Sequence, residues 1–352
     1  MFSRTKTSGE INYELDVLKL FFSLLVFLSH TDTFLNSDTA FQLPYALGTW
    51  SVHFFFIVSG LLMVNSYMKN PPTAGPELGA YSYVRKRVLS LLTPYLIALF
   101  INYFIFVKIS GFSLISFSRL LPQIFFLTAT SLDDFSLNSP AWYISAMVLL
   151  MLPLYYLLCR NSKFYLYIFS PLMAICVYVY CYNTENHFFL FSDYFGFISG
   201  GILLGITGIC FGTISYLISQ RCPAQKSLLM SVAEILIYVW IFKVWFSPNC
   251  DANALYSIML LMPVAIAISF SKSSYVSLLF RFRFWKYARP LSLAIFLNHA
   301  SAWRIVTTKF AGMSYSICLV QMCIYTVAVC IVYFVLLKIS SIIYSKVSPQ
   351  IC

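Results

Sequence analysis

Apolar runs of about 20 residues recur along the chain, separated by short polar turns, and this spacing decides the fold class. A run of that length can cross a bilayer as a helix, with every backbone group hydrogen-bonded inside the segment. The runs fall at about 15–35, 45–68, 88–108, 140–158, 164–182, 194–218, 228–246, 254–270, 291–308 and 315–340. They predict an all-α, polytopic integral membrane protein with about ten transmembrane helices, built as a single domain over residues 1–352. With 60% of residues hydrophobic and only 10% charged, a soluble domain is excluded. Lys19 interrupts the first run and no small-residue cleavage site follows, so residues 1–30 read as an uncleaved first span.

The charges sort with these spans. The predicted cytoplasmic segments hold 17 of the 23 Lys and Arg, and the outer segments hold Lys108, Arg119, Arg304 and Lys309. The asymmetry puts both termini in the cytoplasm of a multi-pass protein of the cell's inner (plasma) membrane. The net charge of +11 is then a topology signal; it implies a lipid bilayer as partner and no nucleic acid. The ten cysteines are scattered, with no CxxC and no His/Cys cluster, so no metal site is expected. Residues 109–139 are too short and polar to cross and read as an outer excursion with a re-entrant or interfacial piece. Cations alternate with aromatics over 271–289, which predicts a helix lying in the interface. Gly196, Gly200, Gly201, Gly205, Gly208 and Gly212 form three GxxxG spacings, which mean close helix packing.

Ionisable groups inside apolar spans are costly and mark candidate sites. The first span carries Asp16, Lys19 and His30. His30 lies eleven positions after Lys19, about three helical turns, so both face one way roughly 16 Å apart along the axis. Asp16, one turn earlier, can pair with Lys19. The plainer alternative is a snorkelling lysine and a buried, hydrogen-bonded histidine. His53, in the outer half of span 2, is placed to hydrogen-bond His30, and His299 lies in span 9 as a second-sphere group, part of an acceptor pocket, or a packed side chain. Glu234 and Lys243 share a face of span 7 and are weaker candidates. Asp32, Asp133, Asp134 and His187 read as solvated outer groups.

Five stretches, in this order, resemble the acyltransferase-3 family of integral-membrane O-acyltransferases. Lys19, ten residues, then His30 resembles the basic-residue-to-histidine spacing of its first helix. Ser51 to Gly60, with Phe54-Phe55 leading to Ser59-Gly60, is similar to its second-span motif. Arg87 to Pro94 looks like the start of its third span, although Ser90 stands where many members carry a second arginine. Ser139-Pro140-Ala141-Trp142-Tyr143 resembles its next inward span, and Pro290 to His299 a late span ending in histidine.

The resemblance implies transfer of an acyl group, usually acetyl, from cytoplasmic acyl-CoA to a hydroxyl of a cell-surface polysaccharide or lipid-linked glycan such as O-antigen. It implies acetyl-CoA as co-substrate, with no permanently bound cofactor and without the appended esterase-like domain some members carry. His30 is the expected catalytic residue, as general base on the acceptor hydroxyl or as transient acyl carrier. Lys19, Arg85, Lys86 and Arg87 are the expected cations for the acyl-CoA phosphates. Asp16, His53, Ser59, Trp142 and His299 are the expected supporting residues. The competing readings are a lipid-linked oligosaccharide transporter or flippase, and an integral-membrane polysaccharide polymerase. The first more often shows internal repeats and the second a large outer loop; neither feature is found.

Overall fold

Among the described residues, seven helices are long and apolar enough to cross a bilayer: Leu47–Lys69, Pro76–Ser110, Ala141–Arg160, Ser162–Tyr180, Gly200–Arg221, Leu228–Trp245 and Tyr315–Ser345. The computed structural model describes residues 13–34, 47–130, 137–138, 140–183, 194–195, 198–247 and 252–347. Its elements are α1 (Glu14–Ser29), a 3-10 turn (His30–Phe34), α2 (Leu47–Lys69), α3 (Pro76–Ser110), α4 (Leu114–Ser118), α5 (Leu120–Ile124), α6 (Ala141–Arg160) and α7 (Ser162–Phe164). A π-helical turn (Tyr165–Phe169) leads into α8 (Ser170–Asn183), and a strand pair, β1 (Tyr194–Phe195) and β2 (Ile198–Ser199), precedes α9 (Gly200–Arg221). Then follow α10 (Leu228–Trp245), α11 (Ala252–Ser271), 3-10 turns at Tyr275–Phe280 and Arg283–Tyr287, α12 (Ala288–Lys309) and α13 (Tyr315–Val347). Apart from the two-residue antiparallel pair, in which Tyr194 faces Ser199, the described chain is helical.

Every one of the ten predicted spans coincides with a helix, and three of them fall short of the length and apolarity of the other seven. α1 is only 16 residues long, the apolar segment described in α11 is Tyr256–Ser271, and α12 carries Arg289, Arg304 and Lys309. Among the described residues between α3 and α6 are only the two short helices α4 and α5, neither long enough to cross. The interfacial helix expected over 271–289 is instead two 3-10 turns, the first capped by the Ser274 hydroxyl accepting from the Val276 amide. Tyr13 donates its amide to Phe280 O, which ties this segment to the start of α1.

The core is centred on α2 and α9. In α2, 78% of the apolar window is buried and in α9 67%, against 28% in α10 and in α13. Glycine makes this contact possible. A Cβ at Gly212 would collide with the Ile57 carbonyl and the Leu61 amide, and one at Gly60 with the Ile209 carbonyl. At Gly208 it would strike Phe56 Cβ. Small residues let the two backbones touch, the packing mode that lipid-embedded helices favour. The GxxxG pattern of the sixth predicted span therefore has a defined partner, the 53–60 face of α2.

Aromatic rings fill the space around this seam. Phe22 of α1 stacks on Phe54 of α2 with centroids 3.8 Å apart, and its edge meets Trp245 of α10 at 5.6 Å. α12 is fastened to α1 by the buried Ser23–Ser292 hydroxyl pair at 2.7 Å. A smaller apolar cluster of Phe27, Ala302, Val306, Cys318 and Met322 closes α1, α12 and α13 near His30.

Candidate active site

α1 carries both ends of the site. Lys19 donates to Asp16 Oδ1 at 3.0 Å, the pairing expected one turn apart. Arg87 of α3 and Arg289 of α12 lie within electrostatic range of Lys19, so three cations from three helices converge at this end of the bundle. Of the basic run in α3, only Arg87 turns inward. It donates through Nε to Tyr83 Oη at 3.3 Å and lies over that ring, 5.4 Å from its centroid. Arg85 and Lys86 are exposed.

His30 sits where α1 tightens into a 3-10 turn. The hydroxyls of Ser29 and Thr31 donate back to the carbonyls of Val26 and Leu28, at 2.7 Å each. Side chains that compete for helix carbonyls favour such tightening at a helix end. The turn brings the His30 ring to 4.9 Å from that of His299, centroid to centroid and tilted by 39°, with Trp303 at 6.4 Å. His299 is fully buried, and its Nδ1 lies 3.0 Å from the Ile295 carbonyl. A carbonyl accepts only, so Nδ1 holds the proton and Nε2 of the neutral ring carries a lone pair. That Nε2 is buried with no hydrogen-bond partner among the described residues.

Between the cations and the histidines runs a wall of aromatic rings. Tyr143 of α6 exchanges a hydrogen bond with the Ser59 hydroxyl of α2 at 2.9 Å and donates to the Phe55 carbonyl at 3.3 Å. Its ring lies 5.8 Å from Phe55 and 5.6 Å from Phe296, and Phe296 lies 6.4 Å from His299. Arg87 is within electrostatic range of Tyr143. Arg87, Tyr143, Phe296 and His299 thus follow one another through the core, with Ser59 beside Tyr143.

Two of the supporting residues stand elsewhere. His53 makes no hydrogen bond to His30; both its ring nitrogens are buried without a partner among the described residues. It lies on the α2 face that carries Phe56 and Gly60 and looks at α9, where Gly208 approaches its ring and Phe211 lies 6.2 Å away. Phe55 and Ser59 occupy a different face of the same helix, which is why one motif serves both seam and site. Trp142 is buried against Phe56, 5.9 Å between centroids. Of the two weaker candidates in α10, Glu234 accepts a hydrogen bond from Ser269 and Lys243 lies over the Trp240 ring. Asp133, Asp134 and His187 lie outside the described residues, as does the side chain of Asp32.

Sequence reasoning gave no role to Tyr143, Phe296, Trp303 or Arg289. Tyr143 and Phe296 stand inside motifs already singled out, beside Trp142 and before His299; Arg289 was counted only as a topology charge. Among the described residues no group of three or more His, Cys, Asp and Glu could hold a metal ion.

A multi-pass helical bundle that converges cations from three helices and buries a histidine pair beyond an aromatic wall defines a membrane protein with an internal site for polar chemistry. A family model described as an acyltransferase domain matches residues 12–337, and the chain belongs to the acyltransferase-3 family. It is a membrane acyltransferase. No curated protein and no solved structure matches the chain.

Proposed function

We propose that the protein moves an acetyl group from cytoplasmic acetyl-CoA to a hydroxyl of a cell-surface polysaccharide or lipid-linked glycan such as O-antigen. The observation that carries this reading is the order of the groups: cations at one end, Tyr143 and Phe296 next, the His30–His299 pair beyond them. The phosphates of the donor are held by Lys19 and Arg87, with Arg289 beside them. Its pantetheine arm lies along the aromatic wall, and the thioester reaches His30.

His30 then acts on the acceptor hydroxyl. As general base it takes the hydroxyl proton while the oxygen attacks the thioester carbonyl; the tetrahedral adduct collapses, the CoA thiolate leaves and takes up the proton. As nucleophile its unprotonated nitrogen attacks the thioester carbonyl and expels CoA thiolate, which takes up the ring proton; the acceptor oxygen then displaces the imidazole from the acyl carbon, and the acceptor's proton returns to the ring. In either route His299 supports the ring: its Nε2 lone pair is available to an N–H of His30, which leaves the other nitrogen of His30 unprotonated. The cation-rich loops support a setting in the inner membrane with both termini cytoplasmic and the His30 end outward.

The test is mass spectrometry of surface polysaccharide from cells carrying no copy, the wild-type protein, or His30→Ala. An acetyl mass increment should appear with wild type alone. Identical glycan masses in all three would overturn the reading.

A further inference from the structure

A second polar cluster lies on the opposite face of α12 from His299. Arg304 donates from Nη2 to the Leu137 carbonyl at 3.0 Å, and its guanidinium lies over Phe106 of α3, 5.3 Å from the ring centroid. Among the described residues its Nη1 is buried with no partner, and the one ion pair is Lys19–Asp16. Next to Leu137, Asn138 is fully buried; its amide N–H is held by Gln123 Oε1 at 3.2 Å, and both side-chain amide atoms are unpartnered. From α3, Asn102 spends its Nδ2 on the carbonyls of Ala98 and Leu297, at 2.9 and 3.4 Å, which leaves Oδ1 unpartnered. Ser301 is fully buried, its hydroxyl without a hydrogen-bond partner among the described residues. Leu297, Ser301 and Arg304 recur at helical spacing, so these groups share one seam between α3, α12 and the residues leading into α6.

Buried polar groups are normally paired, and five orphan atoms in one seam, one of them on a cation, are a site in want of a ligand. The donors are an arginine and a primary amide; the acceptors are two amide oxygens and a hydroxyl. A hydrocarbon satisfies none of them. A sugar bearing a carboxylate or phosphate satisfies all: the oxyanion on the guanidinium fork, the hydroxyls on the asparagines and serine. Arg304 is part-exposed, so the seam reaches the surface at the cation. It lies five residues beyond His299, a rise of about 7.5 Å, and its neighbour Trp303 faces His30. That places it on the side from which the acceptor arrives.

We propose that this seam is an acceptor subsite for an oxyanion-bearing sugar, with Arg304 as its cation, so that the glycan acylated is an acidic one. The proposal rests on the glycan-acyltransferase reading, and its test uses binding without a donor, so the two fail separately.

The full-length protein in nanodiscs is titrated with a glucuronate-containing tetrasaccharide, its carboxyl-reduced neutral counterpart, and inorganic phosphate. Wild type should bind the acidic tetrasaccharide at least tenfold more tightly than the neutral one, and Arg304→Gln should erase the difference. Arg304→Lys should keep part of it. Competition by phosphate at similar concentration assigns the subsite to phosphate-bearing glycans; competition by glucuronate alone assigns it to uronates. Asn138→Ala and Ser301→Ala, which leave the arginine's contacts with Leu137 and Phe106 in place, should each weaken acidic-sugar binding severalfold and serve if Arg304→Gln does not fold. Equal binding of acidic and neutral sugars by wild type, or full discrimination retained without Arg304 or, failing its folding, in both small-residue variants, refutes the proposal.

Discussion

The imidazoles of His30 and His299 lie 4.9 Å apart although 269 residues separate them in the chain. The Ile295 carbonyl fixes which nitrogen of His299 bears the proton, and so presents a lone pair towards its neighbour's end of the bundle. The two rings are therefore unequal. One is fully buried and anchored to a carbonyl of its own helix; the other sits at the start of a 3-10 turn.

That inequality separates two variants. His30→Ala should lower acyl transfer by about 10²–10⁴ if the residue is a general base, and to the background if it carries the acyl group. His299→Ala should reduce kcat by less, and His299→Asn should recover part of the loss. Single-turnover assays with radiolabelled acetyl-CoA measure both. A well-folded His30→Ala protein with substantial transfer would refute the assignment.

The inward turn of Arg87 makes it unlike its two neighbours. Arg87→Gln should raise the apparent KM for acetyl-CoA of order tenfold, the scale of one charge-assisted hydrogen bond. Arg85→Gln and Lys86→Gln should change it by less than about twofold, since exposed charges contribute little. Equal effects at all three positions would mean that the cluster acts as a diffuse field.

Gly212→Ala inserts a methyl group where the Ile57 carbonyl and Leu61 amide already stand. Destabilisation of at least about 1–3 kcal/mol is expected from such overpacking. It should show as loss of the monodisperse peak after mild heating in detergent. Gly312→Ala is no control, because its φ of 82° strains any side chain. A variant at exposed Leu229 is the proper comparison.

The proposed orientation rests on the distribution of cations between the segments. A reporter fused after Cys352 should be active only in its cytoplasmic form, and cysteine-accessibility labelling should reach Arg85→Cys from the inside alone. Labelling from the outside would invert the site.

The all-helical, polytopic type was legible because apolar runs of bilayer length have few alternatives, whereas of the ten spans expected only seven described helices are long and apolar enough to cross. Legible too was the Asp16–Lys19 pair, which needs only helical spacing. The meeting of His30 with His299 was not, since a one-dimensional pattern carries no information on which helices touch. His53 shows the same limit from the other side. Its burial was foreseeable, but its direction depended on the glycines of α9 claiming that face of α2. The interfacial segment went to 3-10 turns because the hydroxyls of Ser271, Ser274 and Ser277 bind local backbone, and Lys226 donates to the Ser277 hydroxyl and the Ser274 carbonyl, a competition that hydropathy does not register.

The contact of α2 with α9 has a mechanical consequence. Two backbones that already touch at Gly60 and Gly212 have no slack, and neither helix can slide or roll on the other without first separating. This half of the bundle is the stator. Any rearrangement of the bundle falls more easily on the flank where α12 meets α13, which is held by side chains such as Met322 that can change rotamer.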